Sequence, residues 1–210
     1  MPEKIRGAIF DLDGTLLDSM GVWEQIDVDF LKKRGIAATE DYTRAVTTMS
    51  FQEAADYSIR RFDLRESPDE IIREWNEMCL EAYTHTILLK PGAKDYLLRL
   101  KRGKIKLGVA TALSSDLYGP ALKNNGIFDL FEAFASIKEV SRGKGFPDVY
   151  LLAAERLELE PYQCEVFEDI LPGIRGAKAG GLKTCGVYDP SSAHEWEKIC
   201  AVADRVITGF

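Results

Sequence analysis

Two acids stand where an apolar strand runs out. In IFDLDGTLLDS, residues 9–19, Asp11 and Asp13 lie two residues apart, just beyond Ile9 and Phe10. Charge at the end of a buried strand is costly unless something compensates it. Three other stretches end in polar groups of matching character: KLGVAT at Thr111, SRGKGFPD with Lys144, and CEVFED with Glu168 and Asp169. Carboxylates gathered at one place raise one another's pKa unless a cation sits among them. Oxygen donors without His or Cys select a hard cation, most simply Mg2+. Such an ion, with an amine beside a reactive carboxylate, makes a site for a phosphoryl group. Asp11 is placed to attack phosphorus and form an aspartyl-phosphate. Asp13 is placed to protonate the leaving oxygen and later to deprotonate water. Gly14 lets the backbone approach a ligand closely, with nearby N–H groups for phosphate oxygens.

Positioning these residues requires a sheet. Short β-rich runs at 5–11, 105–111, 133–137, 164–168, 184–188 and 205–207 alternate with helical patterns at 93–102, 116–124, 148–157, 174–179 and 193–200. This alternation predicts an α/β fold, a Rossmann-like doubly wound parallel sheet with helices on both faces. In such sheets ligands sit beyond the carboxyl ends of the strands, where Asp11, Asp13, Thr111, Glu168 and Asp169 all fall.

The interval 19–89 breaks the alternation. Val22, Trp23, Ile26, Phe30 and Leu31 recur at helical spacing, with Gly35 as a stop. SFQE (50–53) and SPDE (67–70) are both capping-box patterns, and Pro68 suits the first helical position. Ile71, Ile72, Trp75, Cys79, Ala82 and Tyr83 form one apolar face. An all-helical inserted domain over 19–89 is expected, with a core of 1–18 and 90–210 and KPGA (90–93) as the return. Trp23, Phe51 and Trp75 are expected in the insert's own core. Asp18 and Ser19 are expected to cap its first helix, and His85 to be a surface or hinge residue. AKAGG (177–181) ends a helix instead of opening one, so it reads as a stop and not as a dinucleotide loop.

DLDGTLLDS resembles the first motif of the haloacid dehalogenase superfamily of phosphohydrolases. LGVAT resembles its second motif, Lys144 its third, and FEDILPG (167–173) its fourth, in the same order along nearly the whole chain. The insert is similar to the cap of its phosphoglycolate-phosphatase and β-phosphoglucomutase branch. The resemblance implies that Asp11 is nucleophile and metal ligand, and that Asp13 is acid/base and gives its main-chain carbonyl to the metal. It implies that Thr111, with the backbone at Ala112, holds the phosphoryl group and that Lys144 neutralises it. Asp169 would ligate Mg2+, and Glu168 would be a further ligand or a support. One departure stands out: the family commonly has Pro after the third-motif Lys, whereas this chain has Gly145, with Pro147 two residues later. Arg142 is the alternative donor.

The function expected is a Mg2+-dependent phosphatase acting on a small phosphorylated metabolite. The alternative is a sugar-phosphate mutase like β-phosphoglucomutase. Against it, no His lies between Asp11 and His85, and VTTMSFQE (46–53) lacks the Arg expected there. A phospho-aspartyl receiver would lack Asp13 and the insert, and dehalogenase chemistry would need no Mg2+. A net charge of −7 argues against nucleic acid or anionic membrane as partner. No apolar run reaches the roughly 18 residues that span a bilayer, and acids interrupt the apolar run at the N-terminus, unlike a signal peptide. Four cysteines without a CxxC pair and only two histidines argue against zinc and fit a reducing cytoplasm. A monomer is expected.

Overall fold

The computed structural model describes residues 5–46, 49 and 51–210. The chain divides into two compact units, Met1–Met20 with Ile87–Phe210, and Gly21–Thr86.

The first unit is built on six parallel strands: β1 (Gly7–Phe10), β2 (Lys106–Thr111), β3 (Ala133–Ser136), β4 (Cys164–Glu168), β5 (Lys183–Val187) and β6 (Arg205–Ile207). Their order is β3-β2-β1-β4-β5-β6, the doubly wound arrangement expected from the alternation. The helices between them are α5 (Ala93–Arg102), α6 (Ser115–Asn124), α7 (Asp148–Arg156), α8 (Leu171–Ala179) and α9 (Trp196–Val202). Every residue of β1 is buried, because helices cover both faces of its central position. Phe10 stacks on Phe167 of the neighbouring strand at 4.3 Å between ring centroids. On the other face Ile9 and Val166 join Val149, Tyr150 and Ala153 of α7 in one cluster. These contacts fix the register of β1 against β4, with Phe10 beside Phe167, and so fix what stands one residue beyond each strand.

Two helices differ by more than one residue from the pattern read in the sequence. α8 begins at Leu171, three residues early, because Pro172 lies in the first turn, where its missing N–H breaks no helical bond. A 3-10 segment, Pro190–Glu195, precedes α9. The helix stop at AKAGG is present, with Gly181 at φ +78°.

The second unit holds α1 (Val22–Lys33), α2 (Glu40–Val46), α3 (Phe51–Phe62) and α4 (Pro68–Glu81), followed by a π turn, Ala82–Thr86. No strand occurs among its described residues. Ile26, Phe30 and Leu31 of α1 are buried, and Gly35 follows at φ +71°. Ile71, Trp75 and Cys79 of α4 are buried, with Phe30 and Trp75 rings 5.2 Å apart. Trp75 is 3% exposed, as a core residue should be, but Trp23 and Phe51 are each 40% exposed. Both stand in the first turn of their helices and meet edge to face at 5.5 Å, and the Phe51 ring also lies 6.2 Å from that of Trp75. His85 is exposed, 3.7 Å from Glu81. Ser50 of the first capping-box pattern lies outside the described residues. The second box forms: Ser67 N–H and its hydroxyl both donate to Glu70 at 2.8 Å, and Glu70 N–H donates back to Ser67 Oγ. Among the described residues no helix is long and apolar enough to cross a membrane.

Because Ser67 satisfies a helix N-terminal donor, Ser67→Ala should cost about 1 kcal/mol. Urea unfolding followed by circular dichroism checks this; an unchanged midpoint would show that the box adds nothing.

Candidate active site

The site lies where β1 and β4 end side by side. Strand connections leave this junction towards opposite sides of the sheet, which opens a crevice at the carboxyl edge. Asp11 immediately follows β1, and its N–H still donates to Phe167 O at 3.0 Å, so its side chain is placed by the sheet. Glu168 ends β4 and Asp169 follows it. The three carboxylates are buried and present oxygens within 4.8 Å of one another.

Lys144 brings one positive charge to them. Its mostly buried ammonium pairs with Asp11 and, at 2.7 Å, with Glu168. Glu168 Oε1 also accepts from Tyr150 Oη at 2.9 Å, and its Oε2 accepts from Ile170 N–H at 3.4 Å. Asp169 Oδ1 accepts from Thr15 Oγ1 at 3.0 Å. Its buried Oδ2 has no hydrogen-bond partner among the described residues. Asp13 is half-buried and stands outside the trio; its carboxylate accepts from Ser19 Oγ at 2.6 Å. Ser19 therefore serves Asp13 and not a helix terminus: α1 has Gly21 at its N-cap, with no side-chain cap. Thr111 is buried at the end of β2, its Oγ1 accepting from Leu113 N–H at 3.1 Å, and Ala112 between them is exposed.

Backbone without side chains makes this crowding feasible. Gly14 has φ +74°, and a Cβ there would lie 2.4 Å from Asp169 Oδ2. On α8, a Cβ at Gly173 would lie 2.5 Å from the Glu168 carboxyl carbon, and one at Gly176 would lie 2.1 Å from Lys144 O. The close seat against Gly176 holds the Lys144 loop, so Lys144 reaches Asp11 although Gly145 replaces the family's Pro. Arg142, the alternative donor, is engaged elsewhere, in a two-pronged pair with Asp148 at 3.1 and 2.7 Å. Thr15, Ser19, Tyr150, Gly173 and Gly176 were not singled out as site residues from the sequence. Thr15 and Ser19 lie within the first motif and Gly173 within the fourth, and the G-x-x-G spacing on α8 is a further local signal for Gly173 and Gly176.

The electrostatics follow from burial and from charge count. Burial raises the Asp11 carboxyl, Lys144 offsets part of this, and Glu168, Asp169 and Asp13 add to it; the result lies well above the ordinary carboxylate range. Burial and Glu168 push Asp169 up to about 7 against the pull of Lys144 and Thr15. Burial opposes the charge on Lys144, but Asp11 and Glu168 outweigh it and hold the ammonium protonated. With all three carboxylates ionised, one ammonium leaves two negative charges uncompensated. A single divalent cation cancels them. The unpartnered Asp169 oxygen and the bare Gly14 beside it suit such an ion, and the all-oxygen donor set suits a hard one.

Residues 8–187 match the family described as haloacid dehalogenase-like hydrolase. The chain belongs to that family. It is 32% identical over 190 residues to hexitol phosphatase A of Escherichia coli, covering 90% of this chain and 85% of that protein. It is 25% identical over 179 residues to the phosphorylated carbohydrates phosphatase of Thermotoga maritima, covering 85% and 83%. A crystal structure of a putative β-phosphoglucomutase from Thermotoga maritima superposes with a TM-score of 0.84 at 24% identity, covering 97% and 94%, a likeness of fold. As a haloacid dehalogenase-like hydrolase with such relatives, the protein is a phosphoric monoester hydrolase.

Raised carboxyls carry a sign for stability. With Asp169 near 7 when folded, the folded state holds a proton that the unfolded chain has released, over about pH 4 to 7. Metal-free stability therefore falls as pH rises through that window, and a bound divalent cation restores it. The rise in melting temperature from EDTA to Mg2+ should be larger at about pH 8 than at about pH 5.5. Equal increments at both would contradict the carboxylate trio as the binding site.

Proposed function

We propose that the protein is a Mg2+-dependent phosphatase that passes the phosphoryl group of a small phosphorylated metabolite first to Asp11 and then to water. The observation that carries this reading is the buried Asp11 carboxylate, paired with Lys144 beside an Asp169 oxygen that has no hydrogen-bond partner among the described residues.

In this reading Asp11, Asp169 and the main-chain carbonyl of Asp13 hold the divalent cation. When bound, the cation supplies positive charge that lets Asp11 and the phosphoryl oxygens approach each other. An Asp11 oxygen bonds to phosphorus as the ester P–O bond breaks. Asp13, oriented by Ser19, donates a proton to the departing alkoxide. The same carboxylate then takes a proton from the water that attacks phosphorus, and Asp11 is released. Thr111 and the backbone at Ala112 bind phosphoryl oxygens at the end of β2, and Lys144 neutralises charge from the other side. Glu168 is assigned to support: its oxygens already accept from Lys144, Tyr150 and the Ile170 N–H, which orients Lys144 and steadies the start of α8.

The similarity to a hexitol phosphatase and to a phosphorylated carbohydrates phosphatase puts phosphorylated sugars first among substrates to assay. The mutase alternative has only a likeness of fold behind it.

Asp11→Asn removes the nucleophile with little change of shape. Release of inorganic phosphate from a panel of sugar phosphates with Mg2+ should fall at least about a thousandfold. Turnover at the parent rate would show that Asp11 is not the group attacked.

A further inference from the structure

Lys90 lies on the segment that pairs with the chain after the first strand: its N–H donates to Leu16 O at 2.8 Å, and Asp18 N–H donates to Leu88 O at 2.9 Å. Its side chain is mostly buried. An ammonium has three protons, and the structure gives this one three acceptors. They are the Gly14 carbonyl, the Tyr188 carbonyl at 3.2 Å, and Asp189 Oδ2 at 2.7 Å. The first comes from the turn beyond β1 and the other two from the segment beyond β5. Asp189 is itself fixed, with Oδ1 accepting from Ser191 N–H at 2.9 Å and Ser191 Oγ at 2.5 Å. Burial would raise the Asp189 carboxyl, but Lys90 and Ser191 hold it below the ordinary range, as a true ion pair requires.

A buried ion pair is a poor way to gain stability, since desolvation consumes most of the attraction. Its position suggests another use. The peptide between Gly14 and Thr15 is held at both ends: its carbonyl by Lys90, its N–H by Leu12 O at 3.2 Å. Turning that peptide would carry away the Thr15 hydroxyl that holds Asp169 Oδ1. It would also move the Gly14 backbone that lies against Asp169 Oδ2.

We propose that Lys90 and Asp189 are a positioning pair, which locks the Gly14–Thr15 peptide and through it the orientation of Asp169 towards a divalent cation. Neither residue touches the cation or the substrate. The inference rests on the reading that Asp169 holds such an ion.

Calorimetric titration of Mg2+ into the purified full chain tests it, alongside thermal unfolding. Lys90→Met keeps the aliphatic stem and removes all three donors; Asp189→Asn keeps the amine and removes its counter-charge. The Mg2+ dissociation constant should rise about tenfold in Lys90→Met, as expected when support of a metal ligand is lost, and should rise in the same direction in Asp189→Asn. Lys101→Met, which breaks the more exposed pair with Glu132, should stay within about twofold of the parent. A purely structural role would lower the melting temperature and leave the Mg2+ constant unchanged. Parent-like Mg2+ binding by the folded variants overturns the inference alone. Should Lys90→Met fail to fold, Asp189→Asn decides by the same criterion. A parent protein that binds no Mg2+ overturns the metal reading, and this inference with it.

Discussion

Asp11, Glu168 and Asp169 share one edge of the sheet with a single ammonium, and much of the surrounding structure answers that imbalance. Like charges in a site shielded from water repel strongly and favour protonation. The fold holds them together by making each carboxylate the continuation of a strand that the core already fixes. Phe10 against Phe167 and Ile9 against Val166 set the register, and the carboxylates follow from it. An uncompensated charge of this size is destabilising by itself, so the arrangement makes physical sense as one half of a binding event.

The second constraint is room. The crowding succeeds because main chain, with no Cβ, occupies the positions nearest the carboxylates and the Lys144 loop. Gly14 lies against Asp169, Gly173 against Glu168, and Gly176 against the Lys144 carbonyl. Two of these three glycines are in α8, which thereby serves both the end of β4 and the loop that precedes α7. A helix usually loses stability from glycine; here two glycines let the acid and the amine approach, and stability is traded for geometry.

Much of this was legible in the sequence because it depends on local pattern. Strand and helix alternation gave the sheet, and the polar residue after each apolar run gave the site edge, since strand ends are where such sheets bind ligands. The capping box at Ser67 formed because its bonds close within four residues. What escaped were contacts between segments far apart in the chain. Thr15 meets Asp169 across 154 positions, and Tyr150 meets Glu168 across 18. Lys90 meets Gly14 across 76. No periodicity announces such pairs. Ser19 differs from expectation for a local reason: Ser before a helix usually caps it by accepting from a backbone N–H, but here Gly21 occupies the N-cap and the Ser19 hydroxyl donates to the Asp13 carboxylate. Trp23 and Phe51 fitted the helical stripe, yet sit where their helices begin and the packing has not closed over them.

The central claim is that a divalent cation is bound between Asp11 and Asp169, and anomalous diffraction tests it most directly. Crystals grown with Mn2+ in place of Mg2+ should show a single strong anomalous peak bonded to the Asp11 carboxylate and to Asp169 Oδ2. A peak located away from both carboxylates, or none at saturating Mn2+ with Asp169 Oδ2 still unpartnered, would contradict the account.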